Sequence, residues 1–327
     1  MSNPDPRLVP RPACPTCGDD RRRPLVDVPA RTFAYCNPTI DVDRLEASGL
    51  LDVPAIGLAR CDRCETVATT HVLDDACSQT LWGTVVSDDR SREKIYSFKK
   101  ISRNAGRWAK AVAALKRSPS DHDPIRVFDF GCGWGDFLSA ADAPGVKCFG
   151  LEINAAKIEY ARGRGLEIVQ RIDQLPEGFR FDVLHCDQVL EHVPNPADIL
   201  ASLRRLAAPG AVAYLSVPNY PTERIDRAVR AIRDGEPFED KDLITWDHLN
   251  YFNGRAFGRL LSDAGWTGVT DPATVDTHGG RTSTWAIESE RVDVRRDDPR
   301  RPGPRRTWRG RLSGMLRSAS RNDQRAA

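Results

Sequence analysis

The most informative part of the chain is residues 127–138, Val127-Phe128-Asp129-Phe130-Gly131-Cys132-Gly133-Trp134-Gly135-Asp136-Phe137-Leu138. The alternating β-branched and aromatic residues before the glycines predict a buried strand, and the apolar run after them predicts a short helix. The glycines occupy every second position, where a missing Cβ lets backbone approach a ligand. The helix N-terminus adds unpaired N–H groups and a positive dipole end. The stretch therefore predicts a nucleotide-type site.

The positions of the glycines and acids narrow the choice of ligand. The dinucleotide fingerprint requires a third glycine where this chain has Asp136, because the last glycine lies at Gly135. Asp129 ends the strand, where a carboxylate repels a pyrophosphate but accepts a sulfonium-bearing zwitterion. The stretch resembles motif I of class I S-adenosylmethionine-dependent methyltransferases, whose loop surrounds the methionine half of the cofactor. A structural glycine turn in another α/β protein is the alternative.

A second acid is placed to bind the same ligand. Glu152 ends the next predicted strand, residues 147–153, and lies 19 residues after Gly133, so its carboxylate can accept hydrogen bonds from both ribose hydroxyls. The resembled family often has an acid near the adenine amino group, and Asp173 is the candidate, although Arg171 occupies the most expected position. The resemblance implies a cofactor-binding set of Asp129, Gly131, Gly133, Gly135, Glu152, Ile153, Asp173, Asp187 and Gln188.

A second resemblance lies at residues 187–196. Many class I methyltransferases have Leu-Glu-His-Val followed by proline at this strand end, as this chain has at residues 190–194. Enzymes that methylate amino groups of nucleic acids usually have an Asn/Asp-Pro-Pro-aromatic motif instead. Some relatives bind a divalent ion near this segment, but Gln188 replaces one of the acids, so we predict no second metal. His192 is either catalytic or packed beneath the loop and bonded to backbone.

Residues 247–252, Asp-His-Leu-Asn-Tyr-Phe, resemble a segment of zinc-knuckle methyltransferases from sugar and natural-product pathways. The resemblance implies that His248 faces the methyl-transfer site, where a neutral imidazole can accept a proton near pH 7. The catalytic candidates are therefore His248 first and His192 second. The implied function is S-adenosylmethionine-dependent O- or C-methylation of a small molecule such as a sugar, nucleotide-sugar or secondary metabolite.

Two Cys-x-x-Cys pairs near the N-terminus predict a structural zinc site. Each pair can present two thiolates to one ion, and two pairs complete a tetrahedral set of Cys14, Cys17, Cys61 and Cys64. Residues 18–60 must then form a folded insertion. Cys36, His71 and Cys77 are spare ligands that can replace one cysteine. Chance pairs, a redox motif, or a zinc module that binds RNA or protein are the alternatives.

The remaining pattern predicts an α/β protein with a Rossmann-like methyltransferase fold and a small N-terminal zinc module. Strands and helices alternate from residue 125, which indicates a mostly parallel sheet, and residues 266–275 and 281–287 predict a closing antiparallel hairpin. A charged helix at residues 223–233 suggests a substrate cover. The predicted domains are a zinc module (1–77), a helical connector (78–123), a catalytic domain (124–290) and an Arg-rich disordered tail (291–327).

Composition limits the compartment and the partners. No apolar run of the 327-residue chain approaches a membrane span, and the first residues lack the apolar core of a signal peptide, so we expect a cytoplasmic protein. The net charge of +2 combines a tail of +8 with a mildly acidic remainder. A small-molecule acceptor is therefore favoured over nucleic acid, although the basic tail leaves nucleic acid open.

The sequence leaves two other functions open. One is a methyltransferase of RNA or protein that holds its substrate with the zinc module and the Arg-rich tail. The other is a non-catalytic zinc scaffold with a vestigial cofactor fold, which the intact Asp129, glycines and Glu152 argue against. The acceptor and the oligomeric state do not follow from the sequence.

Overall fold

The N-terminal region consists mainly of short antiparallel strands. A computed structural model describes residues 5–31, 40–86, 98–115, 123–236, 247–268 and 281–288, all within the first of two units, residues 1–290. The strands of this region are β1 (Leu8–Pro10), β2 (Arg22–Pro29), β3 (Ala55–Cys61), β4 (Val67–Thr69) and β5 (His71–Leu73). Its helices are α1 (Val42–Ala47) and α2 (Asp75–Thr80), with helical turns at Leu50–Asp52 and Leu81–Val85.

The glycine stretch lies in a region where strands and helices alternate. A long helix, α3 (Phe98–Leu115), precedes it. The strands are β6 (Ile125–Phe130), β7 (Val146–Leu151), β8 (Glu167–Val169), β9 (Phe181–Asp187), β10 (Ala207–Pro218), β11 (Asn250–Tyr251), β12 (Trp266–Gly268) and β13 (Arg281–Glu288). The helices are α4 (Asp136–Ala141), α5 (Ala155–Gly163), α6 (Pro196–Leu206), α7 (Thr222–Asp234) and α8 (Gly254–Asp263), with a helical turn at Ile172–Gln174.

Seven strands of the described chain form the main sheet in the order β12-β13-β10-β9-β6-β7-β8. The five strands from β10 to β8 are parallel, whereas β13 runs antiparallel to β10 and β12 antiparallel to β13. Two buried apolar clusters cover the sheet, one including Phe128, Leu184 and Phe257, the other including Val127, Phe137 and Ile158. The predicted Rossmann-like sheet with a closing antiparallel hairpin is confirmed.

Some element limits differ from the sequence prediction. The second strand of the sheet ends at Leu151 rather than residue 153, because the Glu152 carboxylate accepts hydrogen bonds from the next two backbone N–H groups and turns the chain. β10 begins at Ala207, and its register with β9 is irregular before Val212. Residues 269–280, the tail and Cys36 lie outside the described residues.

The N-terminal sheet includes residues from the far end of the sequence. β11 pairs with β4 through Asn250 and Ala68, which completes the order β11-β4-β3-β2. Helix α7, predicted as a substrate cover, packs its buried side chains into the apolar cluster of this sheet. Arg60 of β3 also forms a 2.6 Å salt bridge with Asp226 of α7. The N-terminal region therefore shares a core with segments that follow β10, and the domain limits stay a prediction.

Among the described helices, none combines the length and apolar character that a membrane crossing requires.

Candidate active site

The three glycines of the loop have different surroundings: two are packed against side chains, and one borders open space. All three have positive φ, from 56° to 79°. A Cβ at Gly131 would lie 2.5 Å from a methyl of Val189, and one at Gly135 would lie 2.4 Å from a methyl of Leu166. A Cβ at Gly133 would meet no heavy atom within 4 Å. Gly131 and Gly135 therefore permit close packing within the protein, whereas Gly133 borders space that a ligand can occupy.

Glu152 connects this loop to the end of the next strand. One carboxylate oxygen accepts from the backbone N–H of Gly133 at 2.9 Å, and the other accepts from Ile153 at 2.7 Å and Asn154 at 2.9 Å. The Asn154 side chain caps α5 by accepting from the N–H of Lys157. Ile153 is 63% exposed despite its apolar side chain. The loop, the acid and an exposed apolar surface thus adjoin one another.

A cleft of about 750 Å³ opens beside these residues. Its lining includes Ile153 and Asn154 from the end of β7, and Asp75, Ser78 and Trp82 from the N-terminal region. Asn154 also donates to the carbonyl of Trp82 at 3.1 Å. The N-terminal region therefore forms one wall of the cleft beside Ile153, one of the predicted cofactor residues.

Asp129, at the end of β6, belongs to a buried polar network. His185 on neighbouring β9 lies opposite it, with its Nδ1 2.7 Å from an Asp129 carboxylate oxygen. The Arg107 guanidinium donates to His185 Nε2 at 3.2 Å. An arginine is only a donor, so Nε2 must accept, and the proton of neutral His185 lies on Nδ1, from which it is donated to Asp129. Arg107 and His185 thereby determine where the Asp129 carboxylate points.

Arg107 also contacts Asp187, another of the predicted cofactor residues at this edge of the sheet. Arg107 Nη1 lies 2.8 Å from Asp187 Oδ2, and its Nη2 donates to the Tyr214 hydroxyl at 2.9 Å. Asp187 also accepts a hydrogen bond from Ser216. Gln188 follows with φ of 61°, a conformation uncommon for residues other than glycine, and its side chain donates to Ser216. The structure thus brings Asp187 and Gln188 to the strand end beside Asp129.

Asp173, the predicted adenine ligand, lies in the exposed turn after β8, where it pairs with Arg171. This pairing occupies the carboxylate within the turn. Its role in cofactor binding stays a prediction.

The two candidate catalytic histidines lie together. Their rings make an edge contact with centroids 4.8 Å apart, and the ligand atoms of Glu191, His192 and His248 all lie within 4.8 Å of one another. His192 Nδ1 is 2.8 Å from the carbonyl oxygen of Asp247, and His248 Nδ1 is 2.6 Å from the Tyr220 hydroxyl. Burial lowers the pKa of His248 to about 4 and raises the pKa of Glu191 to about 7. His248 is therefore neutral at pH 7.

Two residues hold the loop with His192 against the segment with His248. The side-chain amide of Asn250 donates to the carbonyls of Leu190 and Val193 at 2.9 and 2.8 Å. Arg11, from the N-terminal region, donates to the carbonyl of Pro194 at 2.6 Å and to Asn250 Oδ1 at 2.7 Å. Both donors are buried. The N-terminal region therefore also supports the position of the two histidines.

The four predicted zinc ligands form one cluster. Their sulfur atoms lie within 4.8 Å of one another, with Cys14 and Cys64 3.5 Å apart and Cys17 and Cys61 3.6 Å apart. Four sulfurs at about 2.3 Å from one zinc ion lie about 3.8 Å apart in a tetrahedron, so the spacing fits the ion. A hydrogen bond from Cys64 lowers the pKa of Cys14 to about 5. The donor set is compatible with zinc.

Comparison with known proteins identifies the family. A family of methyltransferase domains matches residues 101–271, just over half of the chain. A ubiquinone biosynthesis O-methyltransferase of Hahella chejuensis is 35% identical over 103 residues, 29% of this chain and 43% of that protein. One from Pseudomonas aeruginosa is 34% identical over 29% of this chain and 44% of its own length. The chain therefore spans less than half the length of these curated relatives.

A solved structure is also similar. A magnesium protoporphyrin IX methyltransferase from Synechocystis PCC 6803, with bound SAH, is 18% identical and aligns over 66% of this chain and 100% of that one, with a TM-score of 0.45. Because the methyltransferase domain family matches more than half of the chain, the chain belongs to that family. It has the class I S-adenosylmethionine-dependent methyltransferase fold.

Several residues of the site carry no signal in the sequence. Arg107 occurs on a helix with many exposed polar residues, and His185 lies on β9 among the apolar residues Val183, Leu184 and Cys186. Tyr220 lies in the loop after β10, and nothing in the sequence indicates that it contacts His248. His185 is in register with Asp129 on neighbouring β6, a pairing that no local pattern records.

Proposed function

We propose that this protein transfers a methyl group from S-adenosylmethionine to an oxygen or carbon atom of a small molecule. The observation that carries the proposal is the open space at Gly133 beside a buried Glu152 that is bonded to the same loop. When bound, S-adenosylmethionine supplies an electrophilic methyl group on its sulfonium. The chain then has to bind and orient both substrates and, for a hydroxyl or a carbon acid, manage one proton.

Each predicted cofactor residue would contribute to binding of the cofactor through its own chemistry. The carboxylate of Glu152 is the acceptor for ribose hydroxyls, Gly133 leaves room for the ligand, and exposed Ile153 offers an apolar surface for the base. Asp129 and Asp187, held by Arg107 and His185, place negative charge at the strand ends where a cationic ligand is expected.

His248 and His192 are the proposed acid–base residues. Both rings lie beside each other, and His192 contacts Trp82 of the cleft wall with ring centroids 5.1 Å apart. Neutral His248 can accept a proton, although its lowered pKa of about 4 makes it a weak base. His248→Ala should cut turnover by about 10²–10⁴-fold, the usual effect of a general base, and leave cofactor affinity near that of the wild type. Full turnover in this variant would assign His248 to packing.

Calorimetric titration with S-adenosylmethionine tests the proposed cofactor, and a screen of sugars, nucleotide-sugars and secondary metabolites with labelled cofactor tests the acceptor class. We expect saturable binding and label transfer to a small molecule. Absence of binding by the folded protein would support the non-catalytic scaffold instead.

A macromolecular acceptor is the second candidate, suggested by the net charge of +8 in residues 291–327. Deletion of residues 291–327 should leave the Michaelis constant for a small acceptor unchanged. A large rise that disappears at high salt would favour a polyanionic substrate, because contacts with phosphates weaken steeply with salt.

We also propose that the four cysteines hold a structural zinc ion. The proposal is supported by their sulfur spacing and by burial of three of the four. The ion would connect the turn after β1 with the turn at the end of β3, where the four cysteines form a small cluster of their own among the described residues.

A further inference from the structure

Arg11 is a buried arginine that has no acidic partner among the described residues. The residue is 9% exposed. Its guanidinium donates to the carbonyls of Pro194 and Leu249 at 2.6 and 3.1 Å. It also donates to Thr69 Oγ1 at 3.0 Å and to Asn250 Oδ1 at 2.7 Å. Because all four acceptors are neutral and a buried charge is costly when it is uncompensated, Arg11 requires a nearby anionic group.

A second arginine lies beside Arg11 and has the same requirement. Arg22 donates to the carbonyls of Arg11, Ala68 and Thr69, and within the part of the chain that the structure describes it forms no ion pair. Burial and the neighbouring charge of Arg22 lower the pKa of Arg11 to about 10, so Arg11 stays charged at pH 7. Two positive charges therefore lie next to each other and are bonded only to neutral groups.

The cysteine cluster is the anionic group in the right position. Arg22 of β2 is the strand partner of Cys61 on β3, and Arg11 precedes Cys14 by three residues. Burial lowers the pKa of Arg22, and the thiolate charges of Cys14 and Cys61 act in the opposite direction. A zinc ion bound by four thiolates has an excess of two negative charges, which the two arginines match in number.

We propose that Arg11 is a positioning residue that couples the zinc–cysteine centre to the methyl-transfer site. Arg11 and Arg22 balance the charge of the zinc centre, and this balance keeps the Arg11 guanidinium in place. Its bonds to Pro194 and Leu249 then hold together the two segments that contain the catalytic candidates. Loss of the ion removes negative charge from the cluster, because thiols regain the protons that the metal had displaced. The coupling rests on the proposed zinc site and not on the identity of the acceptor.

Two backbone amides report whether these segments stay together. The N–H groups of Leu249 and Asn250 donate to the carbonyl of Glu191, at 2.7 and 3.1 Å. Their hydrogen exchange requires the segment after residue 247 to separate from the loop before Pro194, so its rate measures that separation without any turnover. Coupling free energies are reciprocal, so a change in the arginines should also appear in the affinity for zinc.

Two variants of the full-length protein separate the charge of the arginines from their hydrogen bonds. Arg11→Lys keeps the charge but loses the planar guanidinium, so zinc affinity should stay near that of the wild type. Exchange at Leu249 and Asn250 should nevertheless become at least about 10-fold faster in zinc-loaded Arg11→Lys. Arg22→Met removes one charge and leaves Arg11 in place, so competition with a chromophoric chelator should show about 10–100-fold weaker zinc binding.

Arg259→Met is the matched control. Arg259 also lies within electrostatic range of Cys17 and Cys64, but it is exposed and pairs with Asp263 at 3.1 Å. Its replacement should change neither zinc affinity nor exchange at the two amides. Circular dichroism and titration with S-adenosylmethionine should give the same results for all three variants and the wild type.

Removal of zinc from the wild type gives the decisive comparison. Exchange at the two amides should become faster when a chelator removes the ion, whereas in Arg11→Lys the same treatment should add little, because the bonds are already lost. Unchanged exchange after zinc removal, or an equal acceleration in both proteins, would overturn the coupling while leaving the zinc site intact. If Arg11→Lys does not fold, the wild-type comparison decides. A folded wild type that binds no zinc would refute the zinc site and the coupling together, but not methyl transfer.

Discussion

Replacing Gly133 with alanine tests whether the open space in the glycine loop is the cofactor site. The added Cβ meets no protein atom within 4 Å, so it introduces no internal clash. It does force alanine to adopt a φ of 56°, which costs about 1–2 kcal/mol of folding free energy for a residue with a Cβ. The effect on the folded protein should therefore be small and come from the backbone alone.

The effect on the ligand should be much larger than the loss of stability suggests. A methyl group in the occupied space displaces ligand atoms from the loop, and losing one or two hydrogen bonds weakens binding by about 1.5–3 kcal/mol. That free energy corresponds to about a 10–150-fold rise in the dissociation constant for S-adenosylmethionine. Gly178→Ala is the matched control, because a Cβ at Gly178 would also meet no heavy atom within 4 Å and Gly178 has a φ of 72°. Gly178 lies just before the N-terminal end of β9, away from the carboxyl ends of the parallel strands.

The assay combines calorimetric titration with chemical denaturation of both variants and wild type. We expect both alanine variants to lose similar stability and only Gly133→Ala to lose cofactor affinity. Equal affinity in all three proteins, with intact folds, would refute the assignment of the loop and the cofactor with it.

Three further changes test other parts of the structure. Glu152→Gln turns a donor toward backbone N–H groups and removes a charge, so calorimetry should show about 10–150-fold weaker cofactor binding; unchanged affinity would remove Glu152 from the site. Cys61→Ser should lower zinc content from about one ion per chain, whereas Cys148→Ser should not, and a stable, metal-free wild type would contradict the zinc proposal. Arg107→Met removes the ion pair with partly exposed Asp187 and the hydrogen bonds to His185 and Tyr214, so it should lower the free energy of unfolding in urea by about 1.5–3 kcal/mol, with little change in exposed Lys110→Met; equal losses would assign Arg107 no special role.

Local sequence was sufficient for the parts of the fold that depend on local rules. The apolar run before the glycines, the positive φ values that glycine permits, and the cap at Asn154 are encoded within a few residues. Strand–helix alternation then predicts a parallel sheet, because parallel neighbours need a crossover. The acid at Glu152 follows from the same rule, since carboxyl ends of parallel strands meet at one edge.

Contacts between residues far apart in the chain depend on the tertiary structure. The sequence predicts His192 and His248 as separate candidates, but only the packing of the loop against Asn250 and Arg11 brings them together beside buried Glu191. That Glu191 is buried is likewise invisible in the sequence, because burial is a property of the surroundings. Pairing over such sequence separations depends on the summed packing of many side chains, which no local pattern records.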